Sequence, residues 1–303
     1  MKKNIIIWVV VIILVGVGVY FLTNGSSQNV TTNQNQNQAT TTGLTQAQLD
    51  QLQKDIKTSG QTVIGKSVDG RDIIAYHYGT GGKELLFIGG IHGGYEWNTS
   101  LVAYEMMDYL KANPDVVAGD IKVTIIPVLN PDGLNKVVGT TTGNFTRADV
   151  SADTVAGRFN ANGVDLNRNF DCDWRSTGKW QNKDVSGGSA VFSEPESQAL
   201  KNYVAAHAPT AVVAWYSSAG GVYASSCHNG VSSEANTLTK TFADASVYPA
   251  FQTFDFYAIT GDMVNWFAKN NIPAISVLLT NHTDTEWSKN QAGILAVLKY
   301  YSK

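Results

Sequence analysis

His92 and Glu96 stand in the run GGIHGGYE, behind an apolar stretch and ahead of a helix-like one. A histidine and a carboxylate a few residues apart, at the end of a strand, suit two ligands of one metal ion. The plainer alternative for the pair alone is a surface loop with a capping glutamate. Further along, Arg158 precedes GVDLNRNF, which contains Asn167 and Arg168. An Asn-Arg pair suits a carboxylate, because the guanidinium is a planar two-pronged donor. NPDG, at 130–133, stands between these segments.

The elements that must carry these groups are legible as patterns. ELLFIGGI (84–91), IKVTIIPVLN (121–130), TAVVAWYSS (210–218) and IPAISVLLT (272–280) read as buried strands. SLVAYEMMDYLKA (100–112) and EPESQALKNYVAAHA (194–208) have helical spacing, and Ser193 with Glu196 resembles a capping box opening the second. Strands alternating with helices predict an α/β domain: a mixed, mostly parallel central sheet with helices on both faces. In such sheets the reactive groups sit at the carboxyl ends of the strands. His77 and His207 read as structural, at a strand edge and a helix end.

GGIHGGYE, NPDG and GVDLNRNF in this order resemble the zinc carboxypeptidase family, the carboxypeptidase A-like group. IGKSVDGRDI (64–73), FSEPES (192–197), YAITGDMVNW (257–266) and IPAISV (272–277) match it in order and spacing. The resemblance implies a mixed eight-strand sheet, a zinc held by His, Glu and His, and a separate glutamate as general base. It places His92 and Glu96 as metal ligands, although three residues separate them where the family usually has two. It places Arg158, Asn167 and Arg168 on the substrate's terminal carboxylate, with Arg147 as fallback for Arg158. Tyr257 matches the mobile tyrosine that closes over the substrate. Val264 falls where the family sets side-chain preference, and an apolar residue there argues against a required basic side chain.

Two catalytic positions depart from the family. The third zinc ligand should be a histidine where this chain has Tyr216, in WYSSAGG, and the general base should be a glutamate where it has Leu278. Zinc on two side chains and water falls short of the three protein ligands usual for such sites. Leucine cannot take a proton, and losing a general base costs on the order of 10²–10⁴ in rate. His228, His282 and Glu286 are the rescue groups within reach in sequence. The expectation is a metallocarboxypeptidase-like pseudoenzyme that holds zinc weakly or not at all and binds C-terminal ends of peptides or cell-wall peptides. The alternative is an active zinc metallocarboxypeptidase with a rearranged site, so whether the chain is an enzyme stays open.

Composition and the N-terminal segment set the surroundings. Of 303 residues only 16% are charged, with 22 Lys+Arg against 25 Asp+Glu and a net charge of -3. No basic field exists to attract nucleic acid. Residues 5–22 are 18 uncharged residues behind Lys2 and Lys3. That length spans a bilayer as one transmembrane helix, with the lysines inside. The expected domains are a membrane anchor at 1–22, an Asn/Gln/Thr-rich linker at 23–43 and the carboxypeptidase-like domain at 44–303, extracytoplasmic. Cleavage as a signal peptide, giving a secreted protein, is the rival. Cys172 follows the binding motif, and Cys227 lies beyond Tyr216, so the resemblance sets both on loops facing one cleft. Outside the cytoplasm a disulfide between them is permitted; two separate buried thiols is the other reading.

Overall fold

The computed structural model describes residues 60–303. The anchor and linker expected over 1–43, and the start of the domain to residue 59, lie outside the described residues. Among the described residues no helix is long and apolar enough to cross a membrane.

One sheet has eight strands: β1 (Gln61–Lys66), β2 (Asp72–Tyr78), β3 (Lys83–Ile88), β4 (Ile121–Ile126), β7 (Ala211–Ser217), β8 (Gly221–Ala224), β9 (Ala250–Phe251) and β10 (Ala274–Leu279). Their spatial order is β1-β2-β4-β3-β7-β10-β8-β9. The central four, β4, β3, β7 and β10, are parallel. Antiparallel pairings attach β1 to β2, β2 to β4 and β8 to β10. A separate hairpin joins β5 (Thr177–Trp180) to β6 (Lys183–Ser186). The helices are α1 (Trp97–Ala112), α2 (Pro131–Val138), α3 (Pro195–His207), α4 (Ser233–Ser246), α5 (Met263–Lys269) and α6 (Trp287–Tyr301).

The central strands are continuous apolar runs because both sheet faces are covered. Side chains alternate between the faces. Val212, Ala214 and Tyr216 of β7 join a core with Leu200 of α3 and Val264 and Phe267 of α5. Val213 and Trp215 join another with Met106 of α1, Phe242 of α4 and Ile294 of α6. The strands are shorter than their apolar runs. Residues 89–91 and 127–130 leave the sheet at its carboxyl edge and become site loops.

The capping box does not form. Glu194 occupies the N-cap of α3, with Pro195 opening the helix. Ser193 Oγ donates instead to Glu194 Oε1 at 2.7 Å. Glu196 accepts from Val68 N and Asn160 Nδ2, both at 3.1 Å. Partners distant in sequence outcompete the local bond.

Cys172 and Cys227 are joined in a disulfide with a sequence separation of 55. On the chain-entropy account a loop of that length contributes about 4 kcal/mol.

At the sheet's other end a buried carboxylate organises the strand starts. Glu84 of β3 meets Lys122 Nζ at 2.7 Å and His207 Nδ1 at 3.5 Å. Thr124 Oγ1 donates to it at 2.6 Å, and Tyr203 Oη donates as well. His77 is bonded on both nitrogens, to Thr124 and Thr62. Burial opposes the charge on Glu84, but bonds from His207, Lys122, Thr124 and Tyr203 outweigh it and hold the carboxyl at about 2. A depressed carboxyl contributes stability above its unfolded value, and that stability is lost as pH falls toward the folded value. Between pH 7 and pH 3 the wild type should therefore lose about 2 kcal/mol more than Glu84→Gln. Urea denaturation at both pH values checks this; equal acid losses in the two proteins would reject it.

Candidate functional site

The loop after β3 holds the first pair. Gly93–Glu96 is a single 3-10 turn. Gly93 has φ +45, and a Cβ there would lie 2.7 Å from Gly157 O and from Leu134 N. Only glycine allows this turn to press against α2 and the Arg158 segment. The tight turn absorbs the extra residue, so His92 Nδ1 lies 2.9 Å from Glu96 Oε1. On the ring's other side His92 Nε2 is 3.4 Å from Asp165 Oδ1. Arg158 completes the cluster, with Nε and Nη2 each 2.9 Å from Asp165 Oδ2 and Nη1 3.8 Å from Glu96. Its guanidinium is stacked 4.6 Å over Trp180 and 5.6 Å from Tyr95. Burial opposes the Asp165 charge, but Arg158 and then His92 hold the carboxyl well below the usual range.

The second part of the site is the LNRNF segment. Asn167 Oδ1 accepts from Met263 N at 3.0 Å and from Tyr216 Oη at 3.4 Å. Its amide donates to Asp262 at 2.8 Å. Arg168 Nε and Nη2 donate to Lys179 O, and Nη1 to Asn167 O. Among the described residues, that leaves two of its five N–H groups for a ligand. Gly261, at φ +63, seats the α5 loop against Arg168, where a Cβ would fall 2.2 Å from Arg168 O. Asn169 is a pin rather than a contact for ligands: it donates to Gly187 O, Ala190 O and Ser193 Oγ.

His92, Glu96, Arg158, Asn167 and Arg168 line one cleft of about 990 Å³, together with Tyr257, Val264 and Trp180. Arg168 lies 5.9 Å from the Tyr257 ring centroid. Burial raises the Tyr257 phenol, with Arg168 and Arg158 opposing. Arg147 is exposed, outside the cleft.

Tyr216 and Leu278 face the same cleft and are register partners on β7 and β10. The Tyr216 ring lies 5.8 Å from His92. Burial above all, then the Asp262 and Glu96 charges, raises its phenol well above 10. Neither His92 nitrogen and not Glu96 Oε2 has a well-directed hydrogen bond, the condition of atoms awaiting a cation. The third donor is what fails. Among the described residues the one three-donor cluster of His, Cys, Asp or Glu atoms lies elsewhere, at Cys172, Cys227 and His228. A protonated phenol bonded to Asn167 does not replace a third imidazole, so the donor set does not fit a catalytic zinc.

The rescue groups separate. Glu286 accepts from Thr280 N at 2.7 Å and pairs with Lys289. His228 pairs with Asp173. His282 alone enters the cleft. Its Nδ1 is 2.8 Å from Ser217 Oγ and its Nε2 3.3 Å from Ser218 Oγ. Asn98 Nδ2 donates to two backbone carbonyls, so its Oδ1 faces Ser217 and takes that hydroxyl's proton. The imidazole therefore carries its proton on Nδ1, with the Nε2 lone pair toward Ser218.

Sequence reasoning missed Asp165, Asp262, Trp180 and Tyr95. Asp165 had a signal, being inside the GVDLNRNF run; the aromatic covers of Arg158 arrive from segments with no motif of their own.

The sequence profile of a family described as zinc carboxypeptidase matches residues 45–286. A γ-D-glutamyl-L-diamino acid endopeptidase of Lysinibacillus sphaericus is 25% identical over 246 residues, 74% of this chain and 61% of the relative. Human carboxypeptidase Z is 32% identical over 120 residues, 35% of this chain and 17% of the relative. This chain thus spans less than two thirds of either relative. Among solved structures, murein-tripeptide amidase of Escherichia coli O157 superposes with TM-score 0.55 at 20% identity, covering 80% of this chain and 92% of that one. Carboxypeptidase A of Helicoverpa armigera gives 0.60 at 20% identity, covering 84% and 70%. At these identities the likeness speaks for the fold.

Removing Asp165 leaves Arg158 buried without its anion. Asp165→Ala should lower unfolding free energy by on the order of 3 kcal/mol, and Arg158→Leu with Asp165→Leu should recover much of that loss. Denaturation midpoints of the three proteins test it; a neutral Asp165→Ala would contradict it.

Proposed function

The chain belongs to the zinc carboxypeptidase family, and from that premise we propose that it grips the C-terminal ends of peptides or cell-wall peptides without zinc-dependent cleavage. One observation carries the reading: where the family places its third ligand and its base, a buried, protonated Tyr216 faces Leu278 across two paired strands. Neither side chain completes a metal site or takes a proton from water. The gripping set is present in the same cleft: Arg158, Asn167, Arg168 and Tyr257. Two N–H groups of Arg168 and one of Asn167 meet a terminal carboxylate, Tyr257 covers it, and Val264 takes an uncharged side chain. The relatives' names, a γ-D-glutamyl-L-diamino acid endopeptidase and a murein-tripeptide amidase, favour wall peptides as the ligand class.

The alternative is an active zinc carboxypeptidase with a rearranged site. It draws on the His92 nitrogens and Glu96 Oε2, which make no well-directed hydrogen bond, a pair that requires only one more donor. We place the domain outside the cytoplasm, joined to a membrane helix over residues 5–22. Lys2 and Lys3 on the inner side and a Cys172–Cys227 disulfide, a bond of oxidising compartments, support this.

Three outcomes follow. The unreduced protein at micromolar concentration should carry well under one zinc per chain after dialysis against a mild chelator. A full equivalent that disappears in His92→Gln would sink the reading. Free-acid peptides should bind at least about tenfold more tightly than their C-terminal amides, and Arg168→Ala should erase that preference. Tyr216→His together with Leu278→Glu should bring zinc uptake and release of C-terminal residues, with neither change alone giving much. Activity in the unmodified protein that survives Leu278→Ala would overturn the proposal.

A further inference from the structure

We propose that Cys172, Cys227, His228 and Asp173 form a second ligand set, for one soft divalent cation of the zinc type, that replaces the disulfide when the sulfurs are reduced. This does not rest on the reading of the cleft.

Three of the donors are already together, and the fourth, Asp173, borders two of them. Both sulfurs and an imidazole nitrogen of His228 lie within 4.8 Å of one another. His228 Nε2 is 3.1 Å from Asp173 Oδ1, and Asp173 Oδ2 is 3.9 Å from Cys172 Sγ. Two thiolates, one imidazole and one carboxylate are a four-donor set suited to tetrahedral zinc. Two sulfurs on one zinc, each at about 2.3 Å, stand roughly 3.8 Å apart. The Cα atoms are 6.1 Å apart, so rotation about the side-chain bonds provides that separation without moving the backbone. The cysteines are buried while His228 and Asp173 are exposed, which leaves the cation an entry from solvent.

The exchange balances. A dithiol gives two electrons to the Cys172–Cys227 bond, becomes its own disulfide, and passes its two protons to the cysteine sulfurs. The cation then binds the two thiolates and releases those protons. Either crosslink backs the segment that carries Asn167. Gly261 N donates to Cys172 O at 2.7 Å, Phe170 N donates to Gly261 O at 3.0 Å, and the next residue, Asp262, holds Asn167. A metal clasp would keep the two loops joined where the covalent one is cut.

The test uses the full chain, reduced by a phosphine that is then removed without air, with cobalt(II) as the probe. One cobalt per chain with a thiolate-to-cobalt charge-transfer band is expected in the reduced protein and none in the oxidised one. His228→Ala and Asp173→Ala should each weaken binding at least tenfold, and Cys227→Ser should abolish the band. His92→Gln should leave it unchanged, which separates this site from any metal in the cleft. Absence of the band in folded reduced protein would overturn the proposal. So would full affinity in both His228→Ala and Asp173→Ala, or unfolding of the reduced chain with and without cobalt.

Discussion

Asp165 is the group on which the site's geometry depends. It is fully buried, and the Arg158 guanidinium first, then the His92 ring and the Arg168 charge, make its own charge tolerable there. In return it fixes where both can stand. Arg158 is held against the Trp180 and Tyr95 rings, and His92 is turned so that Nδ1 meets Glu96. Asp165 also caps the turn that carries Asn167 and Arg168, accepting from Asn167 N at 3.1 Å. One carboxylate thereby sets the spacing between the two halves of the cleft.

Against this charged side stands a wall the sheet makes. Alternation along a strand and in-register pairing between β7 and β10 leave no freedom over what Tyr216 faces. Leucine beside it removes the possibility of a charge, and burial keeps the phenol neutral. Tyr216 nonetheless donates to Asn167 Oδ1. Tyr216 thus ties β7 to the segment that carries Arg168.

The strands were legible because their apolar runs are buried on both faces. The loops were legible only as motifs. HGGYE has one residue more between His92 and Glu96 than the family usually has. The Gly93 turn shows that it separates nothing. Ser193 and Glu196 carried a local capping signal, but Asn160 and Val68 claimed the glutamate. His228 and His282 were alike in sequence as loop histidines. The fold sends one to Asp173 and the other to Ser217 and Ser218.

The sequence by itself determined the α/β alternation and the family, because each is written in a local pattern or a short motif. Tertiary structure decided the rest. It set Tyr216 against Leu278, paired Arg158 with Asp165, closed Cys172 onto Cys227, and brought His92 to Glu96. Those facts depend on strand register and on loops meeting from segments as far apart as Asn167 and Asp262. Such distances are settled only by which apolar faces pack together, and no short stretch of sequence encodes that.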